Sequence, residues 1–342
     1  MRALVKHPDG PGLAMEDVPV PEPGPDEVLI RVHTTGICGT DLHIYEWDEW
    51  AQATVPAPMT VGHEFSGHIA GIGVNVGGFE VGELVSAEGH VVCGKCRNCL
   101  AGRRHLCKEP KGLGVNIPGA FADYVVVPKQ NVWRHIDGLD PEIGALFDPF
   151  GNAVHTALAF PVLGEDVLIT GAGPIGVMAA AVAAHSGARN VVVTDINEYR
   201  LALALRMGAT RAVDPTKTDL KALQGELGMT EGFDVALEMS GAPAAMDDIL
   251  ANTIHGAKVA LLGIPAEAYA IDWSRVIFNM LTIRGIYGRE MYDTWYKMNV
   301  LIQSGVDISP VISHRFPAAS YEDAFEAARS GEAAKVLIRW AD

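Results

Sequence analysis

The spacing of hydrophobic and polar residues changes along the chain and separates it into three parts. In residues 1–150, apolar residues form short runs rich in β-branched side chains, and Gly, Pro and polar residues separate these runs. Short runs with turn residues between them predict an all-β, barrel-like domain. The candidate strands are Val28–Val32, Val61–Ile72, Leu84–Ala87 and Tyr124–Val127.

Residues 151–290 instead alternate apolar runs of strand length with helical stretches such as Glu198–Met207, which Gly208 closes, and Ala244–Thr253. Strands that alternate with helices predict a doubly wound parallel sheet. The candidate strands are Val167–Thr170, Val191–Thr194, Arg211–Asp214, Val235–Ser240, Lys258–Gly263 and Thr282–Gly288. We therefore predict a two-domain α/β protein.

The last part, residues 291–342, is too short to fold alone, and we expect it to pack on one of the larger domains. Helices are predicted at Tyr292–Gln303 and Tyr321–Arg329, the second with Ser320 and Asp323 as an N-terminal capping pair. A strand is predicted at Lys335–Arg339.

The composition is that of a folded, globular chain. The 342 residues are 49% hydrophobic and 20% charged, which excludes disorder, collagen and coiled coil for the chain as a whole. Lys and Arg number 26 against 42 Asp and Glu, so the formal net charge is −16. Because nucleic acids and anionic membranes attract clustered positive charge, we expect neither as a partner.

Two segments bear on cellular location. Val167–Ala188 contains no Asp, Glu, Lys or Arg, but its glycines and Pro174 divide it into a strand, a turn and a helix. We therefore expect no membrane span there. Met1–Glu16 lacks the long apolar core of a secretory signal. The expectation is a soluble, cytoplasmic protein.

A glycine pattern follows the first predicted strand of the middle part. Gly171-Ala172-Gly173-Pro174-Ile175-Gly176 leads into an Ala-rich helical stretch, and Asp195 ends the next strand. In such a pattern the first glycine makes the turn, the second lets the backbone approach a pyrophosphate, and the third lets helix pack on strand. Asp195 would accept hydrogen bonds from the adenosine ribose and repel a 2′-phosphate, which favours NAD over NADP. The alternative is a glycine-rich turn that binds nothing. Arg200 either lies against adenine or ribose or is a solvated helix residue.

Four of the five cysteines lie in one lobe, residues 90–112, as Cys93, Cys96, Cys99 and Cys107. Four thiolates on short loops close a tetrahedral sphere around Zn²⁺ with no open position, which defines a structural site. The spacing of the fourth cysteine disfavours an iron–sulfur cluster, and the cytosol disfavours two disulfides. Basic residues crowd this segment and offset the negative charge of the thiolates: Lys95, Arg97, Arg103, Arg104, Lys108 and Lys111. Because of these basic residues, a zinc ribbon that binds nucleic acid is a further alternative.

The fifth cysteine lies in Gly36-Ile37-Cys38-Gly39-Thr40-Asp41-Leu42-His43, and Gly62-His63-Glu64-Phe65-Ser66-Gly67 follows it. Taken singly, Cys38 is typical of a small core residue and His63-Glu64 of a surface ion pair. Taken with the cysteine lobe and the glycine pattern, the chain resembles the zinc-dependent medium-chain dehydrogenase/reductase family over essentially its whole length. The resemblance implies a GroES-like β-barrel catalytic domain (1–150), an inserted Rossmann NAD-binding domain (151–290) and a return to the catalytic domain (291–342).

The resemblance further implies that Cys38 and His63 bind a catalytic Zn²⁺, that Glu64 joins or supports its coordination sphere, and that Asp41 orients His63. The ion would polarise a secondary hydroxyl of the substrate, whose carbinol hydrogen would move as hydride to NAD. The family places two segments beside the nicotinamide: Leu262–Ile264 and Ile286–Tyr287.

Thr40 and His43 are candidates for carrying the substrate proton to solvent. A hydroxyl is a short relay, and the imidazole pKa lies in the right range. Each also has a plain structural interpretation, Thr40 as a hydroxyl that supports the fold and His43 as a helix-surface histidine.

Cys38–Asp48 and Asp148–His155 resemble the family members that oxidise L-threonine, and so imply 2-amino-3-oxobutanoate as the product and a homotetramer as the assembly. Polyol dehydrogenases of the family usually carry Glu-Pro where this chain has Asp148-Pro149. The resemblance to the threonine-oxidising members implies that Asp148 affects metal-site polarity or proton relay rather than being a stable ligand. The alternatives are a zinc polyol dehydrogenase of the sorbitol or butanediol type and a binding protein without catalysis.

The substrate pocket is less clear from the sequence. A zwitterionic amino acid needs a cation for its carboxylate and an anion for its ammonium group. Candidates by position are Glu46, Asp48, Glu49, Arg289 and Glu290. The aromatic residues nearby either line the pocket or pack as an ordinary loop: Tyr45, Trp47 and Trp50.

Overall fold

The computed structural model describes residues 1–341 and divides into two compact units. Unit 1 comprises Met1–Asp148, Glu290–Trp295 and the chain from Ile312 onward. Unit 2 comprises Pro149–Arg289 and Tyr296–Val311.

The strands within residues 1–341 are β1 Arg2–Lys6, β2 Ala14–Asp17, β3 Glu27–Gly36, β4 Met59–Thr60, β5 Glu64–Ile72, β6 Leu84–Ala87, β7 His90–Val91, β8 Lys111–Gly112, β9 Tyr124–Pro128, β10 Val132–Arg134, β11 Asp166–Thr170, β12 Asn190–Thr194, β13 Arg211–Val213, β14 Phe233–Glu238, β15 Thr253–Leu261, β16 Thr282–Gly285, β17 Ile312–Pro317 and β18 Lys335–Arg339.

The α-helices are α1 Gly39–Glu46, α2 Glu49–Thr54, α3 Arg97–Leu100, α4 Pro141–Ala145, α5 Phe147–Ala157, α6 Pro174–His185, α7 Glu198–Arg206, α8 Leu220–Glu226, α9 Pro243–Asn252, α10 Trp273–Phe278, α11 Asp293–Gln303 and α12 Tyr321–Arg329. Short 3₁₀ turns occur at Arg104–Leu106, Lys129–Asn131, Ser309–Val311 and Ala318–Ser320. Among residues 1–341, none of the helices has the length and hydrophobicity that crossing a membrane requires.

The largest sheet of unit 1 has the strand order β10-β6-β5-β3-β18-β17, and β9 also pairs with β3. β3 pairs antiparallel with β5 and with β18. The alternation of burial along β3 explains its place in the sheet, because Val28, Ile30 and Val32 are buried while Arg31 is exposed. Two smaller sheets, β2-β1-β4 and β7-β8, complete this mainly β unit.

Unit 2 contains one sheet with the order β13-β12-β11-β14-β15-β16, parallel throughout. Every residue of β11 is buried, as expected for a strand covered by helices on both faces. The strand order reverses beside β11, which is where doubly wound sheets bind their ligands. The predicted two-domain α/β fold with a doubly wound parallel sheet is confirmed.

Two predicted strands are interrupted. The sequence predicts one strand at Val61–Ile72, whereas β4 ends at Thr60 and β5 begins at Glu64. Gly62 has a φ of +91°, and the Phe121 ring lies 2.3 Å from where its Cβ would stand, so the chain must turn there. The predicted strand Thr282–Gly288 ends at Gly285.

The predicted capping pair at α12 is also wrong in detail. Ser320 precedes the helix, but its side chain makes no capping hydrogen bond. Its backbone continues from a 3₁₀ turn at Ala318–Ser320 rather than from an extended segment, which removes the geometry that a capping side chain requires.

Candidate active site

The junction between β3 and α1 carries the first candidate metal ligand, Cys38. Its backbone N–H donates a hydrogen bond of 2.9 Å to Asp41 Oδ2. Asp41 is 1% exposed, and burial raises the pKa of its carboxyl group to about 6. The side chain of Asp41 is therefore fixed against the start of α1, inside unit 1.

The turn between β4 and β5 carries the next two candidates, His63 and Glu64. His63 Nδ1 lies 3.6 Å from Asp41 Oδ1, and neither atom has a hydrogen-bond partner within residues 1–341. Burial by itself lowers the pKa of His63, but the charge of Asp41, the hydrogen bond and charge of Cys38 and the charge of Asp148 together outweigh burial, so this pKa lies well above its ordinary value. Asp41 therefore faces Nδ1 and leaves Nε2 as the nitrogen available to a metal ion.

Cys38, His63 and Glu64 together form a compact donor group. One ligand atom of each lies within 4.8 Å of the others. A thiolate, an imidazole and a carboxylate are ligands that Zn²⁺ accepts, and three protein ligands leave the fourth position open in catalytic sites. The unpartnered carboxylate oxygen of Asp41 beside the imidazole is the support that a metal-ligating histidine needs. These residues therefore fit a zinc ion.

Asp148 lies near the start of α5 and is half-buried. It is not a member of the compact donor group. Its negative charge nevertheless raises the pKa of His63, although by less than Asp41 and Cys38 do. Asp148 therefore acts on this site through its charge.

A buried lysine, which the sequence analysis does not identify, completes the surroundings of Glu64. Lys335 Nζ donates to Glu64 Oε2 at 2.7 Å and to Oε1 at 2.9 Å, and to the carbonyl oxygen of Ile37 at 3.0 Å. Lys335 lies 271 positions after Glu64, so no local sequence signal connects the two. The pairing follows from β18 lying beside β3.

Thr40 and His43 lie three residues apart on α1 and therefore share a helix face. The side chain of His43 is 64% exposed. Its Nδ1 lies 2.6 Å from Asp48 Oδ2, while Asp48 Oδ1 accepts the backbone N–H of Ala51. The Ala51 hydrogen bond and His43 together hold the pKa of Asp48 below its ordinary value. An ionised carboxylate thus orients the His43 ring through Nδ1, and Nε2 is the ring nitrogen that can exchange a proton with other groups.

Several candidates for the substrate pocket have partners of their own in unit 1. Glu46 pairs with Arg329 at 3.0 Å. Tyr45 stacks on Phe325 with 4.7 Å between ring centroids. These contacts favour packing over pocket lining for both residues.

The remaining pocket candidates divide between the two units. The Lys6 ammonium nitrogen lies over the Trp47 ring, 4.7 Å from the ring centroid. Trp50 is 44% exposed. Glu49 begins α2 on the surface. Arg289 is buried in unit 2 and Glu290 belongs to unit 1.

The cysteine lobe forms a second compact donor group between β7 and β8, in which the ligand atoms of Cys93, Cys96, Cys99 and Cys107 lie within 4.8 Å of one another. All four are free thiols. The backbone N–H groups of Cys99 and Lys108 donate to Cys96 and lower its pKa to about 6. Four thiols gathered in this way fit a closed, structural zinc site.

The glycine pattern joins β11 to α6 in unit 2. Gly171 has a φ of +93°, which a residue with a side chain adopts only under strain. A Cβ on Gly176 would lie 2.0 Å from the carbonyl oxygen of Gly171, whereas a Cβ on Gly173 would meet nothing within 4 Å. The first and third glycines therefore hold helix against strand, and the second leaves open space at the N-terminus of α6, where a pyrophosphate fits.

Asp195 follows β12 and faces this loop. Its Oδ2 accepts the backbone N–H of Ala172 at 2.7 Å, and Oδ1 accepts that of Asn197 at 2.9 Å. Arg200 on α7 is half-buried, and its Nε has no hydrogen-bond partner within residues 1–341. A carboxylate fixed at the end of the second strand fits the ribose position of a dinucleotide.

The segments predicted beside the nicotinamide follow the ends of β15 and β16. The backbone N–H groups of Leu262 and Gly263 both donate to the carbonyl oxygen of Glu238, and Ile264 is 85% exposed. Ile286 is buried and Tyr287 is exposed. The carboxyl ends of parallel strands are where such a sheet binds its cofactor.

Two family models match separate parts of the chain. Residues 24–137 match the model described as alcohol dehydrogenase GroES-like domain. Residues 174–304 match the model described as zinc-binding dehydrogenase.

Relatives resemble the chain over its whole length. L-threonine 3-dehydrogenase from Solibacter usitatus is 63% identical, covering 99% of this chain and 100% of that protein. L-threonine 3-dehydrogenase from Escherichia coli K12 is 57% identical with the same coverage. Among solved structures, a zinc-binding dehydrogenase from Sinorhizobium meliloti bound to NADP matches with a TM-score of 0.91 at 28% identity, covering 99% of each chain.

Proposed function

The chain belongs to the zinc-dependent medium-chain dehydrogenase/reductase family, and on that premise we propose that it oxidises L-threonine to 2-amino-3-oxobutanoate with NAD as hydride acceptor. The observation that carries the substrate is the full-length similarity to L-threonine 3-dehydrogenases. The donor group in unit 1 and the glycine loop in unit 2 supply the chemistry that this reaction needs.

In this proposal Cys38, His63 and Glu64 hold the catalytic zinc, and the four cysteines of the lobe hold a structural zinc. When bound, the catalytic ion acts as a Lewis acid that lowers the pKa of the substrate hydroxyl. Asp41 orients His63 from the Nδ1 side, and Asp148 adds negative charge near the site without being a ligand.

Thr40 and His43 form the route by which the substrate proton reaches solvent. The Thr40 hydroxyl accepts this proton and passes on its own, and His43 receives it at Nε2 because Nδ1 is held by Asp48. Since most of the His43 side chain is exposed, water then takes the proton from the ring.

Unit 2 binds NAD in this proposal. The loop at Gly171, Gly173 and Gly176 holds the pyrophosphate, with Ile175 in the first turn of α6. Asp195 binds the adenosine ribose, and Arg200 lies beside it with its unpartnered Nε. The residues that flank the nicotinamide half are Leu262, Gly263, Ile264, Ile286 and Tyr287.

Initial rates of NADH formation test this function directly. The assays compare L-threonine with sorbitol, 2,3-butanediol and a simple secondary alcohol, each with and without a zinc chelator. We expect threonine to give the highest kcat/KM and the chelator to abolish turnover. A preference for a polyol would keep the zinc and the hydride transfer but refute the substrate. Turnover by a Cys38→Ser variant that has lost the catalytic zinc would refute the role of the metal.

We further propose a cytoplasmic homotetramer. β16 is an edge strand of the parallel sheet in unit 2, and large apolar side chains are exposed just before it: Ile277 at 68%, Phe278 at 78% and Met280 at 79%. Exposed apolar groups beside an open sheet edge favour contact with another copy of the chain.

The molar mass measured by light scattering tests the assembly. We expect a tetramer for the natural chain and a smaller species for Phe278→Asp, because a buried charge opposes an apolar interface. Val74→Asp is the matched control, since Val74 is 90% exposed in unit 1. A monomeric natural chain would refute the proposal.

A further inference from the structure

One buried cation of unit 1 has no place in the proposed reaction. The side chains of Lys335 and Glu64 are only 4% and 1% exposed. Lys335 Nζ contacts both carboxylate oxygens of Glu64, and no other hydrogen-bond donor to this carboxylate occurs in residues 1–341. Lys335 therefore compensates a buried charge on a residue of the donor group.

The surrounding backbone gives this carboxylate little freedom. A Cβ on Gly36 would lie 2.3 Å from Glu64 Oε2, so the carboxylate packs directly against the β3 backbone. The third contact of Lys335 Nζ, to the carbonyl oxygen of Ile37, joins the ammonium group to the residue that directly follows this strand. Glu64 is thus held from one side by β3 and from another by the ammonium group on β18.

Electrostatics give this arrangement a consequence for the metal ion. A carboxylate lone pair that accepts a hydrogen bond from an ammonium group is a weaker donor to a cation, and the ammonium charge itself repels that cation. A Glu64 oxygen nevertheless lies within 4.8 Å of the Cys38 and His63 ligand atoms. The carboxylate is therefore within reach of both Lys335 and the metal position.

We propose that Lys335 is a positioning residue that shares the Glu64 carboxylate with the zinc ion and thereby limits how tightly the centre at Cys38 binds zinc. This inference rests on the proposed catalytic zinc. A carboxylate that binds the metal less tightly gives up its coordination position more easily, which suits a centre that must admit a substrate oxygen.

Zinc affinity of the metal-free chain, measured by competition with a chromophoric chelator, tests the proposal. The variants are Lys335→Met, Glu64→Gln and the double variant. Cys38→Ser reports the zinc that the four-cysteine lobe binds, and this contribution is subtracted. Lys6→Met is the matched control, because Lys6 is also fully buried in unit 1 but contacts Gly10, Gly12 and Trp47 instead of a metal ligand.

We expect Lys335→Met to bind zinc about tenfold more tightly than the natural chain, the size of effect that groups supporting metal ligands have on affinity. In the Glu64→Gln background the same substitution should change zinc affinity by about threefold or less, because Lys335 acts through Glu64. Lys6→Met should keep the natural zinc affinity. A merely structural lysine would lower zinc affinity or leave it unchanged.

Equal or weaker zinc binding by Lys335→Met, or an equal effect in both backgrounds, would overturn the proposal. If Lys335→Met unfolds without zinc, the double variant should fold, because it removes both buried charges, and a double variant that stays unfolded would also overturn it. A natural chain that binds no more zinc than Cys38→Ser would instead refute the catalytic zinc itself, so the two failures are distinguishable.

Discussion

At the scale of single residues, unit 1 buries ionisable side chains beside specific partners. His135 is 5% exposed, and its Nε2 lies 2.6 Å from Ser86 Oγ. Ser86 Oγ also donates to the carbonyl oxygen of Gly144, so Nε2 must carry the proton that faces Ser86. Burial lowers the pKa of His135 to about 3, and the ring is therefore neutral in the folded chain.

His135 should make the folded state less stable in mild acid. Its pKa is about 3 when folded and about 6.5 when unfolded, so only the unfolded chain takes up this proton as pH falls through that interval. The contribution of this group should then lower the free energy of unfolding by up to about 1.4 kcal/mol for each unit by which the pH is lowered. Urea unfolding of the natural chain and of His135→Gln between about pH 5 and pH 7.5 measures the difference in slope. His255→Gln, at an exposed position, is the control, and equal slopes for the natural chain and His135→Gln would contradict the prediction.

Asp195 should determine the choice of dinucleotide. Asp195→Asn keeps an oxygen that accepts the Ala172 N–H but removes the charge that repels a 2′-phosphate. A loss of about 1.4 kcal/mol of repulsion would raise kcat/KM for NADP relative to NAD about tenfold. Steady-state kinetics with both cofactors measure this ratio. Asp247→Asn, on the exposed face of α9, should leave the ratio unchanged, and a ratio unaffected in Asp195→Asn would count against the assigned ribose contact.

At the scale of elements, the position of α6 depends on two close backbone approaches. Gly176 in its first turn lies against the carbonyl oxygen of Gly171, and Gly171 lies against the backbone of Met239 and Ser240 after β14. The carboxylate of Glu238 accepts the N–H groups of Ser240 and Gly241 and so fixes that neighbouring loop. The start of α6 is thus held by contacts with the loops that follow two adjacent strands, β11 and β14.

The second and third glycines of the loop should respond differently to the same added methyl group. Gly176→Ala places a Cβ against fixed backbone and should lower stability by roughly 1–3 kcal/mol. Gly173→Ala meets no protein atom, so it should keep the thermal stability and lose NADH affinity because the Cβ occupies the pyrophosphate position. Thermal unfolding and NADH fluorescence titration separate the two effects. Similar thermal stability for both variants would contradict the packing argument.

At the scale of the whole molecule, metal and dinucleotide residues are distributed between different units. Both donor groups lie in unit 1, while the glycine loop and Asp195 lie in unit 2. Unit 1 takes its strands from both ends of the chain, since β18 pairs with β3. Each unit therefore has its own sheet and its own ligand chemistry.

Metal removal should separate these two chemistries. Treating the enzyme with a strong chelator should abolish threonine oxidation, because the substrate hydroxyl loses its Lewis acid. NADH affinity should stay within about twofold of its original value, since none of the proposed NAD ligands belongs to a donor group. Calorimetric titration of NADH into the chelated and the zinc-reloaded protein measures this. Parallel loss of NADH binding and turnover would contradict it.

Features that depend on short stretches of sequence could be predicted from the sequence. The parallel sheet follows from apolar runs buried on both faces, and the glycine loop from backbone requirements within six residues. The grouping of the four cysteine thiols follows from their spacing alone, because the short loops between them keep the thiols close together. Burial of apolar area and local backbone geometry are properties that a sequence pattern carries directly.

Tertiary structure decided the features that join distant segments. The turn that separates His63 from β4 depends on the Phe121 ring packed against Gly62. The apolar pattern at Val61–Ile72 therefore predicts one continuous strand, whereas the folded chain turns at Gly62. Glu46 and Tyr45 are paired with α12, at Arg329 and Phe325. A sequence shows that such side chains can bond but not which partner the fold brings near.

Lys335 shows this division most clearly. Its local pattern, Lys335–Arg339, predicts a strand, and the strand is present as β18. That its ammonium group lies beside Glu64 depends on β18 pairing with β3, a contact between the two ends of the chain. The sequence by itself determined most of the elements and the metal-ligand types, because these depend on near neighbours. The charge environment of the metal centre was decided by strand order, which only the folded chain specifies.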